Sequence, residues 1–281
     1  MAISRSQLLK ELLPGLNALF GMEYSRYGEE HKEIFETENS ERSFEEETKL
    51  SGFSAAPVKN EGNAIAYDNA QEAWTARYNH ETIALGFSIT EEAVEDNLYD
   101  SLSSRYTKAL ARAMAYTKQV KAASVLNNAF AASGYNGGDG KSLCNTAHPL
   151  VSGGTNSNTF ATQADLNETS LEAAVIQIAG WTDERGLLIA AKPRKLVVPV
   201  NLMFVATRLL QTELRVGTNN NDINARFLTT DVPNGLKHFV RTPLANSMDG
   251  DFDTGNVRYK SRERYSFGWS DPLGIFGSSG A

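Results

Sequence analysis

Cys144 and His148 stand four residues apart in the run Cys-Asn-Thr-Ala-His-Pro, a pairing that could supply a thiolate nucleophile with its base, or half of a metal site. Both lie on a loop rich in Gly, Asn, Ser and Thr, where a spacing of four fixes no relative geometry. The chain has one cysteine and four histidines, and no second ligand lies close to the pair in sequence. The run reads as a turn before Pro149. Gly138-Asp-Gly-Lys-Ser142 resembles a phosphate-binding loop, but the first glycine of that motif falls on Tyr135, and the loop follows a helix where the motif requires a strand. Asp249-Gly-Asp-Phe-Asp-Thr-Gly255 has acids at alternate positions, as a calcium loop begins. Its glycine comes one residue late and its twelfth position is Lys260 instead of a bidentate Glu, so it reads as a polar turn. No catalytic, cofactor or metal residue is assigned, and no enzymatic activity is expected.

Charge is the more informative chemistry. In Val257–Trp269 the even positions Arg258, Lys260, Arg262 and Arg264 share one face of a strand, and the odd positions Val257, Tyr259, Tyr265, Phe267 and Trp269 share the other. The row of cations could touch nucleic-acid phosphates, remain solvated, or meet acids of another subunit. A matching block exists: Glu29–Glu47 holds nine acids, among them Glu29, Glu30, Glu33, Glu45, Glu46 and Glu47, against Lys32 and Arg42. That segment alone carries the net charge of −7 of the whole chain, and the remainder sums to zero. A chain of this balance is not a general polyanion binder.

The elements that must position these groups follow from periodicity. At 281 residues, 41% hydrophobic and 22% charged, the composition is that of an ordinary soluble protein with room for one large or two modest domains. No apolar run approaches the roughly twenty residues of a membrane span. Lys10, Glu11 and Pro14 interrupt the N-terminal apolar stretch, so it is not expected to direct export. The lone cysteine excludes an internal disulfide and suits a reducing cytoplasm. Residues 1–41 open with a short amphipathic helix (Leu8, Leu12, Leu16, Leu19) disturbed by Pro14-Gly15. An acidic stretch follows, and the whole is expected to lean on something outside its own fold.

Between Arg42 and Ile89 the pattern becomes strand-like, with a turn at Glu61-Gly-Asn63 and alternation through Ile65, Tyr67, Ile83, Leu85, Phe87 and Ile89. A long two-stranded excursion is expected, with a tip at Ala55–Ala66. No glycine or proline interrupts the chain between Gly86 and Gly134, and Thr90–Ala131 reads as one long helix capped by Thr90. It would be roughly 60 Å long, with Val94, Leu98, Leu102, Tyr106, Leu110, Ala113, Val120 and Phe130 along one face. Beyond the Tyr135–Asn158 loop, Thr169 and Glu172 form a capping box for a helix carrying Leu171, Ala174, Val175 and Ile178. Leu187–Ala190 and Leu196–Val198 read as short buried strands. Pro199 starts a further helix with Leu202, Val205, Ala206 and Leu209, ended by Gly217 and followed by a polar loop at Thr218–Asp222, and Asn234-Gly235 is a turn.

Several segments together resemble the major capsid proteins of tailed bacteriophages, most closely the phage Mu-type major head subunits. They are His80-Glu-Thr-Ile-Ala-Leu-Gly-Phe87 leading into Glu91–Asp100, Asp139-Gly-Lys-Ser-Leu-Cys-Asn-Thr-Ala-His-Pro149, Pro193-Arg-Lys-Leu-Val-Val-Pro199, Asn221-Asp-Ile-Asn224 and Arg264-Tyr-Ser-Phe-Gly-Trp-Ser-Asp271. The resemblance implies an α+β tailed-phage major capsid fold. Its parts would be an N-terminal arm (1–41), an extended β-loop reaching a neighbour (42–82), a peripheral domain with the long spine helix (83–134), an axial domain (135–250) and a return strand with the C-terminus (251–281). It implies an icosahedral shell, assembled in the host cytoplasm from pentamers and hexamers around double-stranded DNA, with a portal, possible decoration proteins and no membrane. Because residues 1–41 are too few for a scaffold domain plus an arm, a separately encoded scaffolding protein and a mature chain beginning at or next to Met1 are expected. Some relatives join subunits through a Lys–Asn isopeptide. Lys59 and Asn60 match no family motif, and the crosslink is not carried over. An encapsulin-type nanocompartment shell shares the fold and is the alternative.

Overall fold

A computed structural model describes residues 5–90, 92, 99–131, 134–211, 229–251, 254 and 256–279, the side chains of 5–12, 99–102 and 211 excepted. In chain order the first elements are α1 (Arg5–Arg26), β1 (Glu36–Asn39), β2 (Phe44–Leu50), β3 (Glu72–Asn79), β4 (Glu81–Ile89) and α2 (Tyr99–Asn127). Then come β5 (His148–Pro149), β6 (Thr155–Asn156), α3 (Glu168–Ala179), β7 (Pro193–Lys195), α4 (Met203–Gln211), β8 (Thr229–Thr230), β9 (Leu236–Gly250) and β10 (Val257–Trp269).

The best-patterned stretch of sequence is the centre of the molecule. β10 alternates buried and exposed residues from Val257 to Glu263 and pairs antiparallel with β9 on one side and β4 on the other. β1 adds parallel to the far edge of β9, giving the order β1-β9-β10-β4. Helices α1 and α2 lie on one face of this sheet. There Leu16 and Phe20 of α1, Leu110, Ala111 and Met114 of α2, and Tyr259 of β10 form one core cluster. A second cluster joins Ala122 of α2 and Ala129 just beyond its end to Leu143, Cys144, Leu236, Trp269 and Ile275. A third packs α3 through Ala174 and Ile178 against Trp181, Leu273 and Phe276. The chain end, residues 270–277, thus ties the sheet to the region built on α3. Gly137 is required by this packing, since any Cβ there would overlap the Trp269 ring.

The excursion is as patterned: β2 and β3 pair antiparallel, and residues 51–71 between them carry no helix or strand. Gly62 turns the tip with φ +83°, a left-handed conformation that suits glycine. Ile65 and Tyr67 are not strand residues. They lie in this irregular stretch, strongly exposed with Phe53 and Val58, because no strand ladder or helix gathers them against a core.

Other expectations are corrected. The long helix is described from Tyr99, and residues 93–98 lie outside the described residues, as do the side chains of Val94, Leu98 and Leu102. It ends at Asn127 rather than Ala131. Asn128 donates its side-chain amide to the Ser124 carbonyl, and the Cys144 N–H donates to the Ala129 carbonyl at 2.7 Å, which closes the helix end. Its buried stripe is Ser103, Thr107, Leu110, Ala111, Met114, Ala115 and Ala122, while Tyr106, Val120 and Phe130 are exposed. Small side chains face inward because two helices and a sheet approach closely there, and the large ones are turned out.

The N-terminal segment is also corrected. α1 is 22 residues long and continues through Pro14, with Leu16 and Phe20 buried against its own chain, and β1 is a sheet strand. Residues 13–41 therefore bury substantial surface within one subunit. β9 shares its sheet with β10, so residues 236–250 belong with 257–269 and not across a boundary at 250. The helix α3 is capped by Asn167 and Ser170 in place of Thr169 and Glu172. Leu187–Ala190 and Leu196–Val198 are not strands: Leu188 is 70% exposed, and pairing falls on β7 with β8. Pro199 does precede a short turn leading into α4, with Ala206 buried. Gly217, Thr218–Asp222 and Asn221–Asn224 lie outside the described residues. No described helix is long and apolar enough to cross a membrane.

Candidate functional site

The cationic row occupies the outer face of the sheet, opposite the helices. Arg258, Lys260 and Arg262 are exposed and Arg264 is half-buried. Their cross-strand neighbours on β4 are Ser88, Gly86, Ala84 and Thr82, and on β9 Arg258, Lys260 and Arg262 oppose Asp249, Ser247 and Ala245. Small neighbours leave the cations as the tallest groups on a flat floor. Arg258 pairs with Asp251 at 2.5 Å, while Lys260 and Arg262 make no ion pair among the described residues. The Asp249 stretch is thus a local brace for the row, in which Asp251 also accepts from Thr254 at 2.8 Å. No group of His, Cys, Asp and Glu able to hold a metal ion occurs among the described residues.

Register shifts bracket Arg264, and beyond them the outer face is covered. The root of the β2–β3 ribbon lies over it: Tyr78 bonds Ser270, His80 meets Ser266 at 3.0 Å, and the Tyr78 ring stands 4.8 Å from that of Phe239. The outer face is therefore half roofed by the ribbon and half bare, and the cations hold the bare half. On the inner face Glu263, 2% exposed, faces Lys118 of α2 at 3.1 Å and accepts from Tyr24 at 3.0 Å. Burial and this carboxylate push the Tyr24 phenol well above its ordinary value.

The acidic block is largely engaged within its own chain. Glu29 contacts Lys32 and Lys118. Glu33 pairs with Lys195, whose hydrogen bond holds the carboxyl below its usual range. Glu46 pairs with Arg77 at 3.6 Å, and Glu45 accepts from Ser40 at 2.7 Å. Glu47 joins Glu36 and Glu38 around Lys237 of β9, which is 2% exposed. Burial disfavours the Lys237 ammonium, but the bonds to Glu38 and Glu36 and the charge of Glu47 outweigh it and raise its pKa. Glu30 is exposed and makes no ion pair among the described residues.

Cys144 and His148 do not form a reactive pair. The thiol is buried in the cluster under Trp269, and desolvation pushes it up to about 12, far from a thiolate at neutral pH. His148 is buried with its Nδ1 2.5 Å from Asp139 and its Nε2 3.2 Å from Asn158. Asn158, fully buried, donates to the carbonyls of Leu143, Pro272 and Ile275 and accepts from the Asn145 N–H. The segment 139–149 is a structural knot tied to the chain end.

Sequence reasoning missed the roles of four residues in this architecture. Lys237 shows as a lone cation inside the apolar run Leu236-Lys-His-Phe-Val240, a readable signal. Asn158 carries no such signal, lying in a polar loop among other polar residues. His31 and His238 sit edge to face at 5.0 Å, with His238 stacked on Phe267 at 4.3 Å. Burial lowers His31 to about 4 and His238 to about 3, so both are neutral aromatic packing groups near neutral pH.

The arrangement can hold surfaces together but offers no reactive constellation among the described residues. Comparison with known proteins agrees with a structural role. A family profile described as phage capsid protein matches residues 72–277. No curated protein matches the chain. Among solved structures, the procapsid of bacteriophage JBD30 superposes with a TM-score of 0.55 at 13% identity, covering 99% of this chain and 77% of that one. The capsid structure of the cyanophage P-SCSP1u gives 0.52 at 12% identity, covering 88% and 87%. At such identities these likenesses establish the fold, that of tailed-phage capsids. The profile covers most of the chain, and the protein belongs to the phage capsid protein family, a structural component of the virion.

Proposed function

We propose that this chain is the major head subunit of a tailed phage, of the Mu type. Copies of it would assemble in the host cytoplasm as pentamers and hexamers into a closed icosahedral shell around double-stranded DNA. Its work is assembly, without chemistry of its own. The observation that carries this reading is the ribbon. Residues 51–71 project without a core, exposing Phe53, Val58, Ile65 and Tyr67, the last 93% exposed. Isolated two-stranded ribbons with a bare apolar tip are marginal in water, and another copy is the natural cover. A separately encoded scaffold, a portal and decoration proteins are the further partners this reading calls for.

The bare half of the outer sheet face is the second contact in this reading. Acids of a neighbouring copy would meet Arg258, Lys260, Arg262 and Arg264. With Glu29, Glu33, Glu46 and Glu47 holding cations of their own chain, Glu30 and Glu41 are exposed carboxylates of that block without an ion pair among the described residues. The test is electron microscopy of the expressed protein. Closed shells are expected, and nuclease-protected DNA inside phage heads would separate the reading from a compartment holding protein cargo. A protein that stays monomeric at all concentrations and with scaffold present would overturn it.

A further inference from the structure

The helix layer carries a second row of cations that the assembly contacts do not use. Helix α2 holds Arg105, Lys108, Arg112, Lys118 and Lys121 against one acid, Asp100, in a chain whose net charge is −7. Lys118 and Lys121 are engaged, with Glu263 and Glu29 and with Glu81. The other three are exposed. At about 100° per residue they fall within an arc of about 60° on the exposed side of the helix, away from the buried Thr107 and Leu110, with Lys108 bordering the buried Ala115. Arg105 and Lys108 make no ion pair or hydrogen bond among the described residues. Arg112 donates its Nε to the Tyr27 hydroxyl at 2.9 Å, which fixes the guanidinium and leaves its other donors outward. Glu23, whose charge acts on Arg112, is itself paired with Arg26.

We infer that this face of α2, presenting Arg105, Lys108 and Arg112, binds the phosphate backbone of double-stranded DNA and is the lumenal side of the shell. The inference rests on the shell reading, because the enclosed duplex is the partner such a face would meet. The ribbon bears on sidedness: its root lies on the sheet's outer face, so overlap between copies through the ribbon would fall on that side and leave the opposite, helical side open. The chemistry fits a duplex without sequence preference: three long cations over about 10 Å of rigid helix, with no carboxylate among them. The overall negative charge keeps the binding weak, with affinity in the range of about 10⁻⁴ to 10⁻⁶ M at physiological salt, sufficient where DNA is packed densely.

The experiment compares the full chain with R105Q/K108Q and K260Q/R262Q. A fluorescent mixed-sequence duplex of 50 base pairs is titrated by anisotropy against dissociated subunits between 50 and 200 mM salt, so that the face lumenal in the shell is accessible, and the same chains are then assembled and imaged for shells. With three phosphate contacts the unsubstituted protein should lose roughly 40-fold in affinity over that range. R105Q/K108Q should bind more weakly at low salt and lose only about 3- to 4-fold, with shells unchanged. K260Q/R262Q should keep the full salt dependence. The inference is overturned if the unsubstituted protein does not bind the duplex at 50 mM salt, if R105Q/K108Q keeps its salt slope, or if K260Q/R262Q loses the slope instead. It is also overturned if R105Q/K108Q keeps DNA binding but forms no shells, since the row would then join copies or an acidic scaffold. Failure of every preparation to form shells while the α2 pair still controls DNA binding would sink the shell reading and leave the DNA surface standing.

Discussion

The sequence marks residues 13–41 and residues 51–71 alike, as segments expected to reach outside their own fold, yet the structure treats them in opposite ways. The first folds back onto its own chain and the second does not. Leu16 and Phe20 lie four residues apart on α1 and meet Leu110, Ala111 and Met114, so a single helical face reaches the core. In the second, Phe53, Val58, Ile65 and Tyr67 share no period, and no helix or strand gathers them on one side. The acids of the first segment are not a bar to its joining the sheet, because Lys237 of β9 receives Glu36 and Glu38, as it does Glu47 of β2. Spacing decides whether a few apolar residues make a face, and a single well-placed countercharge makes an acidic strand acceptable in a sheet.

The largest expected effect breaks the comparison at the ribbon. Replacing residues 53–69 by a short Gly-Ser turn should leave the subunit's far-ultraviolet spectrum and melting transition nearly unchanged while shells disappear from micrographs. If the shortened chain melts far below the parent, the tip belongs to the subunit's own core and the contrast is false. In the opposite region, Phe20→Ala should cost about 3–5 kcal/mol of subunit stability, as aromatic truncations in packed cores do. Denaturant unfolding of the dissociated subunit measures this, and a loss under about 1 kcal/mol would return α1 to the status of a loose arm. Lys237→Met removes the countercharge from three glutamates. The carboxylates remain half in water, so a cost of about 2–3 kcal/mol is expected, below that of a fully buried broken pair. Relief on lowering the pH enough to protonate the glutamates would identify charge as the cause.

How far the sequence discloses this molecule depends on whether one rule governs a segment. β10 was legible because period-two alternation is set by the strand itself, and residues 257–263 follow it. The ribbon and the long helix were legible from turn residues and from the missing glycines and prolines. The buried face of α2 was not, because large residues suggest an apolar stripe, whereas the close approach of α1 and the sheet selects Ser103, Thr107, Ala111 and Ala115. The cation row is where alternation places it, but the own-chain partners of Glu33, Glu46 and Glu47 lie far off in sequence and depend on the tertiary fold. Asn158 is the extreme case, since its bonds to Pro272 and Ile275 span more than a hundred residues.

Acid sharpens the comparison from another direction. His31 on the segment after α1 and His238 on β9 are held neutral, their folded pKa values lowered to about 4 and about 3 by burial, against about 6.5 in an unfolded chain. Below about pH 6.5 the unfolded state binds protons that the folded state refuses, so stability falls with pH down to about 4 for His31 and about 3 for His238. Above about pH 6.5 neither residue contributes a slope. Stability of the dissociated subunit measured from pH 7 to pH 4.5 should decline, and His238→Phe, if it folds, should flatten that decline by the equivalent of one proton. An unchanged slope would mean that His238 is reached by water and protonates in the folded state. Residues 51–71 contain no histidine, so shortening the ribbon should leave the acid limb as it is.

The smallest effects belong to the surface charges, where own-chain pairing and pairing between copies compete. Glu33 with Lys195 and Glu46 with Arg77 are exposed pairs screened by water, so no single reversal should abolish folding or assembly. Repeated over many interfaces, pairs between copies would still set how assembly answers to salt, since the Debye length falls from about 10 Å at 0.1 M to about 3 Å at 1 M. Reversing Glu29, Glu30 and Glu33 should weaken shells modestly and shift assembly to lower salt. Reversing Arg258, Lys260 and Arg262 in the same molecule should restore them in part if the two blocks meet across copies. Because Glu29 and Glu33 already hold Lys32, Lys118 and Lys195, the restoration should come mainly through Glu30, and E30K with R262E should recover most of what the larger swap recovers. If the double reversals assemble no better than the worse single one, the sheet row is solvated in the shell, and the ribbon's apolar tip is left to carry cohesion between copies.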